Sequence, residues 1–171
     1  MGYFDAVRIG EGVDQELASR LGFTRIITLG SELPVLDRPS ECGRKYLLKS
    51  GDAGILMKGI RDVRAAGIML SDNEIIGKAI AAAKENGKPI VVDLFPIFSK
   101  ASQQRFRNIA RIRGLISAVL KARADIAVIS GAESPDYLMS RMQMAELSVF
   151  LGISREAAPA SLGRIGEMID H

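Results

Sequence analysis

The sequence predicts an α/β fold, specifically a shortened or incomplete (β/α) TIM-like barrel of parallel strands. Strand-like and helical segments alternate along the chain, and the strand-like segments are apolar on both faces, which is typical of parallel strands covered by helices. A full eight-stranded barrel takes about 250 residues, whereas this chain has 171 residues. It shows six or seven strand-like segments before it becomes helical from Pro135 onward. We therefore expect one short barrel-like domain over residues 1–171, with an open doubly wound sheet as the alternative arrangement.

The first half of the chain begins with two strands that flank a helix. The segments "FDAVRI" and "TRIITL", residues 4–9 and 24–29, are typical of strands because β-branched and aromatic residues are concentrated between glycines. The helix between them covers residues 14–21 and is expected to end at Gly22. After Gly30 we expect a loop with a short extended piece at "PVL", then the strand "KYLLKS" and the helix "DAGILMKGIRD".

The second half continues the alternation with longer helices. The strand "AAGIML" is followed by Ser71 and Glu74, which have the spacing of a capping box and predict the start of a helix. The strands "PIVVDLF" and "IAVIS" are joined by a long helix over residues 101–123. The helix after Ser71 is expected to bury Ile75, Ile76, Ala79, Ile80 and Ala83.

Composition excludes several classes of function. The chain contains one cysteine, Cys42, and one histidine, His171, so it predicts neither an internal disulfide nor a Cys/His metal cluster. "GEG" at residues 10–12 lacks the rest of a dinucleotide fingerprint, and no phosphate-binding loop motif occurs, so no cofactor is predicted. Apolar runs are too short to span a membrane, and the start of the sequence does not resemble a signal peptide, so we expect a cytoplasmic protein without a membrane partner.

The long helix carries an unusual excess of positive charge. No acidic residue occurs between Asp93 and Asp125. Its apolar residues Ile109, Ile112, Ile116, Val119 and Leu120 are predicted to share one side, with Arg107, Arg111 and Lys121 on the opposite side. A solvated helix face usually mixes charges of both signs, so the uniform face favours an anionic partner, either nucleic acid phosphate or an acidic protein surface. The cations of this stretch are Lys100, Arg105, Arg107, Arg111, Arg113, Lys121 and Arg123.

Polar residues at the predicted strand ends offer a second candidate site. Ser130 and Gly131 follow a late strand, where the small-residue loop of a parallel fold either binds a phosphate or simply forms a tight turn. Asp93 and Lys49 could serve there as a base and a Schiff-base lysine, or as ordinary polar groups. This site defines the alternative function, a small (β/α)-barrel enzyme acting on a phosphorylated metabolite.

Three stretches in sequence resemble a known family. They are "PIVVDLFPIF", "QRFRNIARIRGLISAVLKARADIAVISGAE" and "AELSVFLGISREAAPASLGRIGEMI". In this order, over about residues 88–170, they are similar to the barrel-shaped protein subunit of archaeal and eukaryotic ribonuclease P, protein component 3, which is related to the PHP phosphoesterase barrels. The region from "KYLLKS" to "AAGIML" is similar as well.

The resemblance implies a subunit without catalytic or metal-binding residues of its own. Members of the family bind the catalytic RNA together with a small partner protein, and the RNA removes the 5′ leader of precursor tRNA, so the implied partners are ribonuclease P RNA, precursor tRNA and that small subunit in a hetero-oligomer. Arg105 matches the family's arginine at the start of the long helix, and Ser130, Gly131 and Ala132 match its strand-end motif. Arg141 departs from the family because it lies out of register, and one strand–helix unit is missing between Leu29 and Lys45.

Overall fold

The fold is described by a computed structural model that covers residues 2–9, 13–39, 43–73, 75–98 and 101–170. The strands of these residues are β1 (Phe4–Val7), β2 (Arg25–Thr28), β3 (Val35–Leu36), β4 (Tyr46–Ser50), β5 (Ala65–Leu70), β6 (Ile90–Asp93) and β7 (Ile126–Ile129). The α-helices are α1 (Gln15–Leu21), α2 (Ala53–Ile60), α3 (Gly77–Glu85), α4 (Ser102–Ala122), α5 (Arg141–Leu151) and α6 (Ala158–Asp170). Short 3₁₀ turns follow β5, β6 and β7 at Ser71–Asn73, Phe95–Phe98 and Pro135–Tyr137.

All strand pairs in the described residues are parallel, as the apolar strands predict. One sheet contains β1 and β2, and the other contains β3, β4, β5, β6 and β7 in chain order. A doubly wound sheet reverses its strand order at a switch point, and the five-stranded sheet has no such reversal. The sequential order is therefore compatible with a partial barrel and argues against the doubly wound alternative.

Backbone hydrogen bonds connect the edges of the two sheets. Beyond β7, the amide of Gly131 donates to the carbonyl of Ala6 at 3.0 Å, and the amide of Arg8 donates to the carbonyl of Ala132 at 2.8 Å. At the other edge, Leu29, which follows β2, forms an isolated parallel bridge with Leu33, which precedes β3. The end of β1 is thus bonded to the residues after β7, and the end of β2 lies beside the segment that leads into β3.

Apolar side chains pack in two layers. The outer layer lies between the strands and the helices, and α4 contributes Ile112, Leu115, Ile116 and Val119 to it. The inner layer joins the seven strands and α6 in one cluster, to which α6 contributes the fully buried Ile165. Because the side chains of a strand alternate between its two faces, apolar residues at most strand positions fill both layers.

Helix α6 lies at the amino ends of the strands. It packs against β1, β5 and β7, and Gly166 faces the ring of Phe4 so closely that a Cβ atom there would stand 2.1 Å from Phe4 Cδ2. A side chain at Gly166 would therefore displace α6 from the first residue of β1. The carboxyl ends of the strands, at the opposite side, remain available for a site.

The helix bounds confirm most of the sequence prediction, with one correction before α3. Asp14 caps α1, Gly22 ends it with φ 83°, and the "PVL" piece becomes β3. The capping-box prediction is wrong at Ser71, because this residue lies in the 3₁₀ turn and α3 begins only at Gly77. Ile75, predicted to be buried, is consequently 55% exposed; Glu74 lies outside the described residues.

Candidate nucleic-acid interface

Helix α4 packs against the sheet through one apolar side. Ile112, Leu115, Ile116 and Val119 are buried, so this side of the 21-residue helix packs on the sheet. The prediction was wrong for Leu120, which is 39% exposed. Successive helical residues are about 100° apart, so Leu120 turns from the sheet toward the space between α4 and α5.

The cations of α4 project into solvent. Arg105, Arg107, Arg111, Arg113 and Lys121 are all exposed. Within the described part of the chain, Arg107, Arg111 and Lys121 form no ion pair with an acidic side chain. Lys100, also predicted to bind, lies outside the described residues, and Arg123 ends α4 in the left-handed conformation with φ 55°.

Arg107 and Arg111 form the most clearly uncompensated pair on this surface. They are four residues apart, so their side chains lie on neighbouring turns of one helix side. Like charges at this spacing destabilise a helix by about 0.2 to 0.5 kcal/mol, and neither arginine recovers this free energy from an acidic partner in the described residues. Such a pair is suited to bind anions from outside the chain.

Arg113 and Lys121 occupy a different environment on the same helix. Both line a groove of about 460 Å³ between α4 and the end of α5, together with Leu120, Leu151 and Gly152. The guanidinium of Arg113 also lies over the ring of Phe150 on α5, 5.9 Å from the ring centroid. The cationic residues predicted as one set therefore divide between an open helix side and a partly apolar groove.

Arg141, the remaining cation of the predicted site, is engaged in packing. It is the first residue of α5, half-buried, and its guanidinium lies 4.3 Å from the centroid of the Tyr3 ring. The structure places it away from the groove-lining residues, and its role in RNA or partner binding stays a prediction.

Ser130 and Gly131 lie at the carboxyl end of β7, but they are buried. The Ser130 hydroxyl is 2.5 Å from Oδ2 of Asp5, and the Ser130 amide donates to Oδ1 of Asp5 at 2.7 Å. Asp5 Oδ1 also accepts a hydrogen bond from the amide of Ala6. Burial raises the pKa of Asp5 to about 6, against the lowering effect of these hydrogen bonds. This cluster links β1 to β7 and leaves Ser130 without an open approach for a phosphate.

Arg8 and Asp93 form a second polar link at the same end. Their side chains form an ion pair, and Arg8 Nη1 donates to the carbonyl of Gly131 at 2.6 Å. Gly131 has φ 60°, and a Cβ atom there would stand 2.1 Å from Asp93 Oδ1. Glycine is therefore required at this position by both its backbone conformation and its neighbour.

Lys49 is the exposed cation of this end of the strands. It lines a pocket of about 80 Å³ with Asp93 and Asp72, and another of about 290 Å³ with Arg8 and Leu29. The structure thus brings Lys49 and Asp93 to one edge, as their predicted strand-end positions imply, and adds Arg8 to them. In the described residues, no three His, Cys, Asp or Glu side chains are grouped so that they could hold a metal ion.

Sequence reasoning missed Asp5 and Arg8. Their partners are distant in sequence: Asp5 contacts Ser130, and Arg8 contacts Asp93. The available signal was a carboxylate inside the short apolar strand "FDAV", since a charged residue is rarely buried in a strand without partners.

The strand pairing and the exposed cations of α4 define the chain as an α/β protein of parallel strands with one strongly basic outer helix. Comparison with known proteins adds a structural relative. No family model and no curated protein match the sequence. A chain in the cryo-EM structure of archaeal ribonuclease P with mature tRNA is similar in fold, with a TM-score of 0.70 over 98% of this chain and 81% of that chain, at 9% sequence identity.

Among the described residues, no helix is both long and apolar enough to cross a membrane.

Proposed function

We propose that this chain is a non-catalytic protein subunit of a ribonuclease P, similar to protein component 3. We further propose that α4 is the part of the chain that binds RNA. The observation that carries the proposal is the pair Arg107 and Arg111, which are exposed and form no ion pair with an acidic side chain in the described residues. Phosphate groups of ribonuclease P RNA or precursor tRNA would neutralise these charges and release counterions.

The fold supports this proposal from a separate direction. We infer that the two sheets form one seven-stranded barrel, because the bonds from Gly131 and Arg8 and the bridge at Leu29 link their edges. The fold is shared with a chain of an archaeal ribonuclease P structure, although the two sequences are only 9% identical. In a (β/α) barrel the helices form the outer ring, so α4 presents its cations to a large ligand such as folded RNA.

Partners and location follow from the same proposal. The subunit would act in a hetero-oligomer with a small ribonuclease P protein subunit, and it would work in the cytoplasm on precursor tRNA. Hydrolysis would belong to the RNA, so Arg107 and Arg111 would position the RNA and would not take part in bond cleavage.

The alternative, a small enzyme for a phosphorylated metabolite, has its best support in Lys49 and the neighbouring pockets. The side chains around it are largely occupied: Asp93 pairs with Arg8, and Ser130 bonds to Asp5. A base bound to an arginine and a buried serine are poorly placed for acid–base work on a ligand. For this reason we favour the RNA-binding role.

The test is reconstitution with ribonuclease P RNA. We expect the chain to bind this RNA more tightly than a control RNA of equal length, and to raise the rate of precursor tRNA cleavage when the RNA and the small subunit are present. The chain alone should cleave nothing. Equal affinity for both RNAs together with an unchanged cleavage rate would contradict the proposal, and turnover of a phosphate ester that is lost in Lys49→Ala would favour the enzyme.

A further inference from the structure

The groove between α4 and α5 combines a partly exposed leucine with positive charge. Leu120 is 39% exposed at its edge, and Phe150 on α5 is 58% exposed. Arg113 and Lys121, eight residues apart on α4, are the charged residues among those that line it. At 1.5 Å per residue they are about 12 Å apart along the helix, which matches about two turns of a helix laid in the groove.

The charges of the groove are not balanced locally. Neither Arg113 nor Lys121 forms an ion pair with an acid in the described part of the chain. The exposed acid of the adjoining helix, Glu146, pairs with Arg155 at 3.4 Å. A ligand that carries negative charge would therefore gain from both cations, while its apolar part would cover Leu120.

We infer that this groove binds an amphipathic segment of a partner protein, with apolar side chains against Leu120 and acidic side chains facing Arg113 and Lys121. Exposed apolar side chains rimmed by charge commonly mark such helix-in-groove contacts. The inference does not depend on the RNA-binding role of Arg107 and Arg111, which are not among the groove-lining residues.

Protein is favoured over RNA as the occupant by the chemistry of the groove. Single-stranded RNA binds by stacking its bases on open aromatic faces. Here the guanidinium of Arg113 lies over the ring of Phe150, and the exposed apolar side chain of the groove lining is the aliphatic Leu120, with Ile116 and Leu151 buried beneath the groove. An exposed aliphatic side chain such as Leu120 suits a leucine-like side chain of a partner.

The experiment uses two synthetic helical peptides of about 14 residues. One carries leucines at positions i, i+4 and i+7 flanked by glutamates, and the other has lysines in place of the glutamates. Each is titrated into the full chain while the NMR amide signals of Ser117 and Gly152 are followed. We expect the glutamate peptide to bind about tenfold more tightly, since two exposed charge pairs contribute up to about that factor.

Variants assign the effect to the groove. Arg113→Gln combined with Lys121→Gln should remove the difference between the two peptides, and Leu120→Gln should weaken binding of both by several-fold. Met142→Gln is the control, because Met142 on α5 is 73% exposed and does not line the groove. Equal binding of both peptides to the wild type, or unchanged binding to Leu120→Gln, would overturn the inference. It would also be overturned if a single-stranded RNA of about ten nucleotides shifted the same signals and excluded the peptide.

Discussion

The carboxyl ends of the strands and the outer side of α4 use charge in opposite ways. At the strand ends, Asp5, Arg8 and Asp93 each bond to groups of the same chain. On α4, Arg107 and Arg111 repel each other and form no ion pair with an acidic side chain in the described residues. The internal bonds help to hold the strand ends together, whereas the exposed arginines of α4 remain available to a molecule outside the chain. In parallel (β/α) folds ligands usually bind at the carboxyl ends of the strands, but here Asp5, Arg8 and Asp93 are engaged within the chain, so we favour the outer side of α4 as the candidate RNA-binding surface.

The largest effect on stability is expected from Gly131→Ala at the strand ends. The added Cβ atom would stand 2.1 Å from Asp93 Oδ1. The alanine would also have to adopt the left-handed backbone conformation of this position, with φ 60°. We expect a loss of about 3 to 5 kcal/mol in the free energy of unfolding, measured by denaturant titration. The matched control is Gly87→Ala, where φ is 61° but no atom lies within 4 Å of the added Cβ. That variant should lose only about 1 to 2 kcal/mol. If both variants lose the same free energy of unfolding, the close contact between Asp93 and Gly131 does not contribute to stability.

Asp5 makes the stability of the strand-end contacts depend on pH. Its pKa rises from 3.8 to about 6 on folding, chiefly through burial, so its contribution to stability is complete below pH 4 and is lost as pH rises through 6. The shift corresponds to about 3 kcal/mol. In Asp5→Asn the amide can donate to Ser130 Oγ and its oxygen can accept from the Ser130 amide, so this loss should be absent. We expect the variant to gain stability relative to the wild type by up to this amount between pH 4 and 7, measured by urea unfolding at each pH. Parallel curves would show that Asp5 does not titrate in this range.

The sequence predicted the outer helix better than the strand ends. Helix α4 was expected over residues 101–123 and observed as Ser102–Ala122, because a long amphipathic pattern depends on neighbours along the chain. The strand-end contacts join residues such as Arg8 and Asp93, which are 85 positions apart, and no local pattern contains that information. Leu120 was misassigned because helical spacing gives a direction, whereas the place of the neighbouring α5 decides whether that direction is buried.

The smallest effect is expected on the outer helix itself. Arg107→Glu replaces a like-charge pair with a Glu–Arg pair at positions i and i+4, which should stabilise the protein by a few tenths of a kcal/mol. The comparison is Arg20→Glu, which reverses the charge of an exposed arginine in the last turn of α1. Thermal unfolding measures both. A decrease of more than about 1 kcal/mol in the free energy of unfolding of Arg107→Glu would show that Arg107 stabilises the fold, as the charged residues at the strand ends do.

The salt dependence of RNA binding tests the central claim most directly. The affinity for ribonuclease P RNA should be measured from low to high salt for the wild type, for Arg107→Gln with Arg111→Gln, and for Arg20→Gln with Lys58→Gln, which removes the same charge from α1 and α2. Each lost phosphate contact lowers the slope of log affinity against log salt by about 0.7 to 0.9. We predict that the α4 variant loses about 1.5 in slope and binds more weakly, while the control keeps the wild-type slope. Equal slopes in the wild type and the α4 variant, or equal losses in both variants, would contradict the assignment of α4 as the RNA-binding surface.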